Sequence, residues 1–180
     1  MRQGTVPPAE PSRRTAAALE DLGRFVSGLD PADHPGLREP LLRTLLDTLG
    51  VSVAGSRTPE LRALVAAWEP PPGPAAIFGA GVRTVPETAA YLNGVSAVTL
   101  ELDEGNKYAR GHPASHVFPA ALAVAQARGA TGRELAAALL AGYEVASRFG
   151  RATRLRPGVH PHGNWGTAGA AAAVARLMGL

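Results

Sequence analysis

Pro40-Leu-Leu-Arg-Thr-Leu-Leu-Asp-Thr-Leu-Gly-Val-Ser-Val-Ala-Gly55 is the stretch whose period settles the class of fold. Leu42, Leu45, Leu46, Leu49 and Val53 recur at i, i+3, i+4, i+7 and i+11, the spacing of one apolar stripe on an α-helix. A strand would alternate every second residue. The expectation is a helix that turns these leucines to the core and stops at Gly55. Upstream, a helix is expected from about Arg14 to Ser27, with Ala18, Leu22, Phe25 and Val26 inward, ended by Gly28 and the turn Asp30-Pro31. Residues 1–13 hold three prolines and no periodicity, and read as a flexible tail.

Downstream the same grammar continues. Thr58-Pro59-Glu60 joins a capping hydroxyl, a proline for the first helical position and an acid for the first turn. The proline-rich break from Glu69 to Pro74 reads as a surface loop within one domain, followed by a short extended piece, Ala75 to Gly79. Thr84-Val85-Pro86-Glu87 has capping-box spacing and starts a helix to about Leu100. Asn93-Gly94 is disfavoured inside that helix, which points to a local reason (close helix approach or a site contact) or to tolerance by packing. Phe118-Pro119-Ala120 launches a helix to about Arg128. Thr131 to Glu134 is a second capping box, before a helix with Leu135, Leu139, Tyr143, Ala146 and Phe149 on one side. The last helix starts near Asn164, and Gly166 to Gly169 are small residues suited to close packing. The fold class is all-α: a single compact helical domain over residues 14–180.

Composition narrows the function classes. Hydrophobic residues are 46% and charged residues 18%, a globular balance, while aromatics at 5% leave a core of Ala, Leu and Val. The net charge of +3 comes from scattered arginines with Lys107 as the sole lysine. Nucleic acid prefers a concentrated basic face, so no nucleic-acid role is read. Surplus arginine suits small carboxylate ligands better. The absence of cysteine excludes disulfides, thiolate catalysis and cysteine-held metals, and fits a cytoplasmic protein. No signal peptide and no membrane span are read.

The chemistry concentrates between Leu100 and His116. Glu101, Asp103, Glu104, Lys107, Arg110, His112 and His116 crowd one glycine-broken segment. A core avoids such residues, and a loop of acids and imidazoles is what proton transfer requires. Glu101 and Glu104 would share a helical face, with Asp103 pointing elsewhere. Pro113 stiffens the backbone beyond His112. His116 reads as a cap or a packed residue. A second polar loop, Arg151 to Gly163, carries His160-Pro161-His162, and both loops lead into alanine-rich helices that could face one cleft. His160 and His162 with His112 and Asp103 make a weak metal set, and no metal is assigned.

Seven segments, in this order, resemble the 2-methylcitrate dehydratase (MmgE/PrpD) family: Leu46-Asp-Thr-Leu-Gly-Val-Ser-Val-Ala-Gly55, Ala90-Tyr-Leu-Asn-Gly94, Leu100-Glu-Leu-Asp-Glu-Gly105, Gly111-His-Pro113, Pro119-Ala-Ala-Leu-Ala123, Gly142-Tyr-Glu-Val145 and His160-Pro-His-Gly-Asn-Trp-Gly-Thr167. The resemblance implies the N-terminal helical part of an enzyme whose C-terminal α/β domain is absent here. It implies cofactor-independent dehydratase, isomerase or decarboxylase chemistry on a small di- or tricarboxylate, of the 2-methylcitrate dehydratase kind. His112 and His160 are then the catalytic acid or base, with Asp103 and Glu101 orienting them, and Lys107 and Arg110 meeting substrate carboxylates. A homodimer or a complementing C-terminal domain would complete the site. The other reading is a non-catalytic helical fragment acting as a dimerisation or interaction module.

Overall fold

Seven α-helices and one β-hairpin follow one another along residues 13–160 and 163–180, the residues described by the structure, a computed structural model. They are α1 (Arg13–Gly28), α2 (Arg38–Gly55), α3 (Pro59–Trp68), the antiparallel pair β1 (Pro72–Ile77) and β2 (Val82–Thr84), α4 (Pro86–Val98), α5 (Pro113–Arg128), α6 (Gly132–Ala152) and α7 (Gly166–Met178). The all-α expectation holds, and the extended piece after the proline-rich break is β1. Of the expected N-terminal tail, residues 1–12 lie outside the described residues, as do Pro161 and His162, and Arg13 already opens α1.

Helix α5 is the axis of the domain. Ala114, Val117, Phe118, Ala121, Leu122, Ala123 and Ala125 are all buried, and only the last turn, residues 126–128, is exposed. A helix that is apolar all round must be enclosed, and α4, α6, α7, α2 and β1 supply the walls. The helix starts at Pro113, earlier than Phe118-Pro119 suggested, so Pro119 sits inside it. Pro119 has no N–H to give the Ser115 carbonyl, which costs one backbone hydrogen bond in the second turn.

The walls approach closely because small residues stand at the crossings. A Cβ added to Gly142 of α6 would lie 2.7 Å from the Gly169 carbonyl oxygen of α7, and one on Gly169 would lie 2.4 Å from that of Gly142. The α2–α4 crossing is tighter still, with a Cβ on Gly55 falling 2.0 Å from the Ser96 carbonyl oxygen. That contact explains why the leucine stripe of α2 is not the buried one. The residues packed inward are Thr48, Ser52 and Gly55, small enough for α4 to lie against them. Their hydroxyls bond back to helix carbonyls, Thr48 to Thr44 at 2.8 Å and Ser52 to Thr48 at 2.6 Å, so neither is orphaned by burial. Leu45 and Leu49, with Leu41, pack partly on the core. Leu42 and Leu46 are 47% and 73% exposed.

Local signals fare unevenly. Thr58 accepts from the Leu61 N–H, and Thr131 with Glu134 forms a complete capping box. Thr84 forms none: Val85 is the cap residue of α4, and Thr84 ends β2 with its side chain buried. Hairpin pairing takes its backbone and turns the hydroxyl inward. Asn93 has a definite task. Its Oδ1 accepts from the Phe78 N–H at 2.8 Å and its Nδ2 donates to the Ala76 carbonyl at 2.9 Å, fastening the hairpin to α4. The unfavourable asparagine is neither a site contact nor mere tolerance.

Gly55→Ala should destabilise the chain by about 3 kcal/mol, because its methyl meets backbone that cannot rotate away. Gly50→Ala, on the same helix with nothing within 4 Å, should stabilise it by about 0.5–1 kcal/mol. Urea denaturation of both variants measures the contrast, and equal effects would refute the close crossing.

Candidate active site

The segment joining α4 to α5 is built by its own backbone before any side chain acts. After α4, Glu101 takes a left-handed conformation, φ 52°, and its N–H bonds the Val98 carbonyl at 3.2 Å. Asn106 and Gly111 then pair backbone to backbone in both directions, at 2.8 and 3.3 Å, closing a tight loop. The Asn106 side chain braces it from inside by accepting from the Ala109 N–H at 3.0 Å. Lys107 stands exposed on that loop. Arg110 is also left-handed, φ 58°. Its guanidinium donates to the carbonyls of Gly150, Arg151 and Thr153 at 3.2, 3.1 and 3.0 Å. A cation at the C-terminal end of α6 is favoured by the helix dipole and satisfies carbonyls that have no helical partner.

His112 is the residue on which α5 begins. Its Nδ1 lies 2.8 Å from the Glu104 carbonyl oxygen and 3.3 Å from Asp103 Oδ2. A carbonyl only accepts, so Nδ1 carries a hydrogen, and a neutral ring has its lone pair on Nε2. Asp103, its side chain 3% exposed, is a charge contact beside that bond.

Glu104 is held from two sides. Oε1 accepts from the Tyr143 hydroxyl at 2.6 Å, and Oε2 accepts from the Ala114 N–H, in the first turn of α5, at 3.1 Å. Asn106 Nδ2 donates to the same tyrosine oxygen at 3.1 Å. Burial raises the Glu104 carboxyl above the ordinary 4.5, with the Asp103 charge adding to the rise, against the pull of Tyr143, Ala114 and His112. Burial, and then the Glu104 carboxylate, push the Tyr143 phenol up.

Of the residues singled out from sequence, Asp103 and His112 are in contact. Glu101 and His160 are exposed. The Gly163 N–H, just past His160, donates to His116 Nε2 at 2.8 Å, which associates the second loop with the first. Arg110 is engaged on α6. Glu104, Asn106, Tyr143 and His116 complete the network, none of them assigned a site role from the sequence. Glu104 was visible as the third acid of the loop, and Tyr143 inside Gly142-Tyr-Glu-Val145. Their pairing across 39 positions leaves no local trace. Among the described residues no group of three or more His, Cys, Asp or Glu is placed to hold a metal ion, and no helix is long and apolar enough to cross a membrane. His162, part of the weak metal set, lies outside the described residues.

With this geometry in view, similarity to known proteins is informative. The profile of the MmgE/PrpD N-terminal domain matches residues 20–180. The cis-aconitate decarboxylase-like protein oryM of Aspergillus oryzae is 32% identical over 174 residues, covering 89% of this chain and 36% of that protein. Two cis-aconitate decarboxylases of Aspergillus terreus are 28% and 30% identical over 181 residues, covering 94% of this chain and 37% of each. The chain thus spans just over a third of the length of the curated relatives it matches.

Glu104 yields a signed pH dependence. Its folded pKa lies above 4.5, so the folded state holds the proton more tightly than the unfolded chain. The stability this confers is fully present below 4.5 and is lost as pH rises through the folded value. Glu104→Gln should remove that component, and urea midpoints of the two proteins across the range measure it. A wild-type dependence that survives unchanged in the variant would refute the assignment.

Proposed function

This chain belongs to the MmgE/PrpD family, and on that premise we propose that it carries out cofactor-independent proton-transfer chemistry on a small di- or tricarboxylate. The reaction is dehydration, isomerisation or decarboxylation. The observation that carries this reading is the His112 ring, tied through Nδ1 to the Glu104 carbonyl with the Asp103 carboxylate 3.3 Å away. That arrangement makes Nε2 the basic nitrogen and puts a negative charge where proton uptake creates a positive one.

In a dehydration, His112 Nε2 takes the proton from the carbon beside a substrate carboxylate. The hydroxyl on the neighbouring carbon leaves as water, with a proton from His160, and the electron pair of the broken C–H bond becomes the new double bond. The step is redox-neutral. In a decarboxylation, the pair left by departing carbon dioxide receives a proton from the same imidazole pair. Lys107, exposed on the loop, offers an ammonium to a substrate carboxylate. Arg110 keeps its positive charge beside the loop while capping α6, and direct contact with substrate requires it to leave those carbonyls. Glu101 stands where the segment leaves α4 and orients the approach. The relatives' names make cis-aconitate one acid to try, and the dehydratase resemblance makes 2-methylcitrate the other. A C-terminal α/β domain would close the site over substrate, and a cytoplasmic location belongs to the same reading.

A second reading rests on Leu42 and Leu46, exposed along one side of α2, and on Leu37 at its start, 42% exposed. Leucines laid out in this way suit contact with further polypeptide, either a second copy of this chain or the C-terminal domain. As a dimerisation module the chain needs no chemistry of its own.

Two measurements separate these readings. Incubated in heavy water with 2-methylcitrate, citrate or cis-aconitate, the protein should exchange or turn over substrate carbon protons seen by NMR. His112→Ala should slow this at least about 100-fold, and an unchanged rate would sink the assignment. In sedimentation, Leu46→Lys should shift a self-associating wild type toward monomer, whereas a wild type already monomeric at high concentration would remove the self-association reading.

A further inference from the structure

His116 lies one turn into α5, and contacts from two separate segments converge on its ring. Nδ1 is 2.9 Å from the His112 carbonyl oxygen. The Gly163 N–H donates to Nε2 at 2.8 Å. The Trp165 indole lies 5.9 Å away between centroids, tilted by 50°. The Gly166 backbone presses so closely that a Cβ there would fall 2.3 Å from the ring's Cγ and 2.5 Å from Nδ1. One nitrogen is therefore tied to the residue on which α5 is capped, and the other nitrogen and part of the ring are held by the segment that starts α7.

The two hydrogen bonds determine the protonation state. A carbonyl only accepts, so Nδ1 bears the hydrogen. A backbone N–H only donates, so Nε2 bears the lone pair. The bridge exists with a neutral ring alone. The surroundings keep it neutral: burial holds His116 below the ordinary histidine value of 6.5, and positive charge on His112 or His160 pushes the same way, against the His112 carbonyl and Asp103.

The bridge also reaches His160. The Asn164 side-chain amide donates to the His160 carbonyl at 3.0 Å, and the Thr167 hydroxyl returns a bond to the Asn164 carbonyl at 2.8 Å. His160 is thereby anchored to the first turn of α7, which rests on His116.

We propose that His116 is a positioning residue: its imidazole bridges the His112 carbonyl and the Gly163 N–H and so sets His160 relative to His112. This rests on the reading that those two histidines serve one substrate. His116 itself performs no proton transfer, because both of its nitrogens are committed to backbone.

Two substitutions divide the bridge. His116→Gln places an amide oxygen near the site of Nε2 and keeps an acceptor for Gly163. His116→Asn keeps a donor near Nδ1 and loses that acceptor. Gly166→Ala leaves the imidazole chemically intact and displaces it. Nitrogen NMR of the wild-type side chain should show the neutral tautomer protonated at Nδ1. The Gly163 amide should exchange about tenfold faster in His116→Asn and in Gly166→Ala, and within about twofold of wild type in His116→Gln, the difference made by one hydrogen bond. On the acid that wild type turns over, His116→Asn should lose about 100-fold in kcat with little change in KM, and His116→Gln should recover part of it. The proposal is overturned by an Nε2-protonated or charged ring, by Gly163 exchange that is the same in all four proteins, or by unchanged kcat in His116→Asn once Gly163 has loosened. Failure of the catalytic reading looks different: wild type turns over no acid, while the tautomer and the Gly163 exchange pattern come out as stated and uphold the bridge.

Discussion

Helix α5 is packed against α2, α4, α6, α7 and β1 along all but its last turn, and it begins at the residue after His112. Those two facts tie the chemistry to the packing. An enclosed helix cannot shift along its axis without opening contacts with α4, α6, α7 and the hairpin at once, and close-packed interiors resist even small displacements. His112 sits at the mouth of that helix, with Pro113 limiting the backbone on its far side. The Ala114 N–H, which has no partner within the helix, is satisfied by Glu104. The helix dipole favours a negative charge at that end. Burial opposes the same charge and is the largest cause of the raised Glu104 carboxyl.

The glycines that let the walls close also deliver the site. Gly142 and Gly169 bring α6 against α7, and Tyr143, the next residue along α6, reaches Glu104. Gly166, a turn earlier on α7, lets the His116 ring lie on bare backbone. A side chain at either crossing would push apart the core and the polar network together. The network is therefore not an accessory on a finished scaffold. It uses the same close approaches that exclude water from the core.

Family membership and geometry bear on different questions. The matched profile and the Aspergillus relatives identify what kind of chain this is, while fold alone does not assign a reaction. The chemical case comes from the site: a histidine with a defined tautomer, a buried carboxylate beside it and a second histidine anchored to α7. Leu42 and Leu46 make a separate point. They satisfy the helical period of α2 and still face outward, because the α2–α4 crossing admits only Thr48, Ser52 and Gly55.

Sequence by itself determined the elements whose causes are local. The 3.6-residue period, the caps at Thr58 and Thr131 and the glycines at the ends of α1 and α5 depend on neighbours within a turn. They were therefore legible, as was the acidic loop in which Asp103 meets His112. Tertiary structure decided what depends on distant backbone. It turned the leucine stripe of α2 partly outward, took Thr84 for the hairpin and gave Asn93 the hairpin carbonyl and N–H to hold. It also carried Arg110 to the end of α6 and joined Glu104 to Tyr143 and His116 to Gly163. For the leucines and Thr84 the cause is a close helix crossing and strand pairing, and for Asn93, Glu104 and His116 it is the need of polar groups for partners. A buried polar group must find a partner, and the partner it finds is whatever packing brings within about 3 Å, at a separation along the chain that no local pattern records.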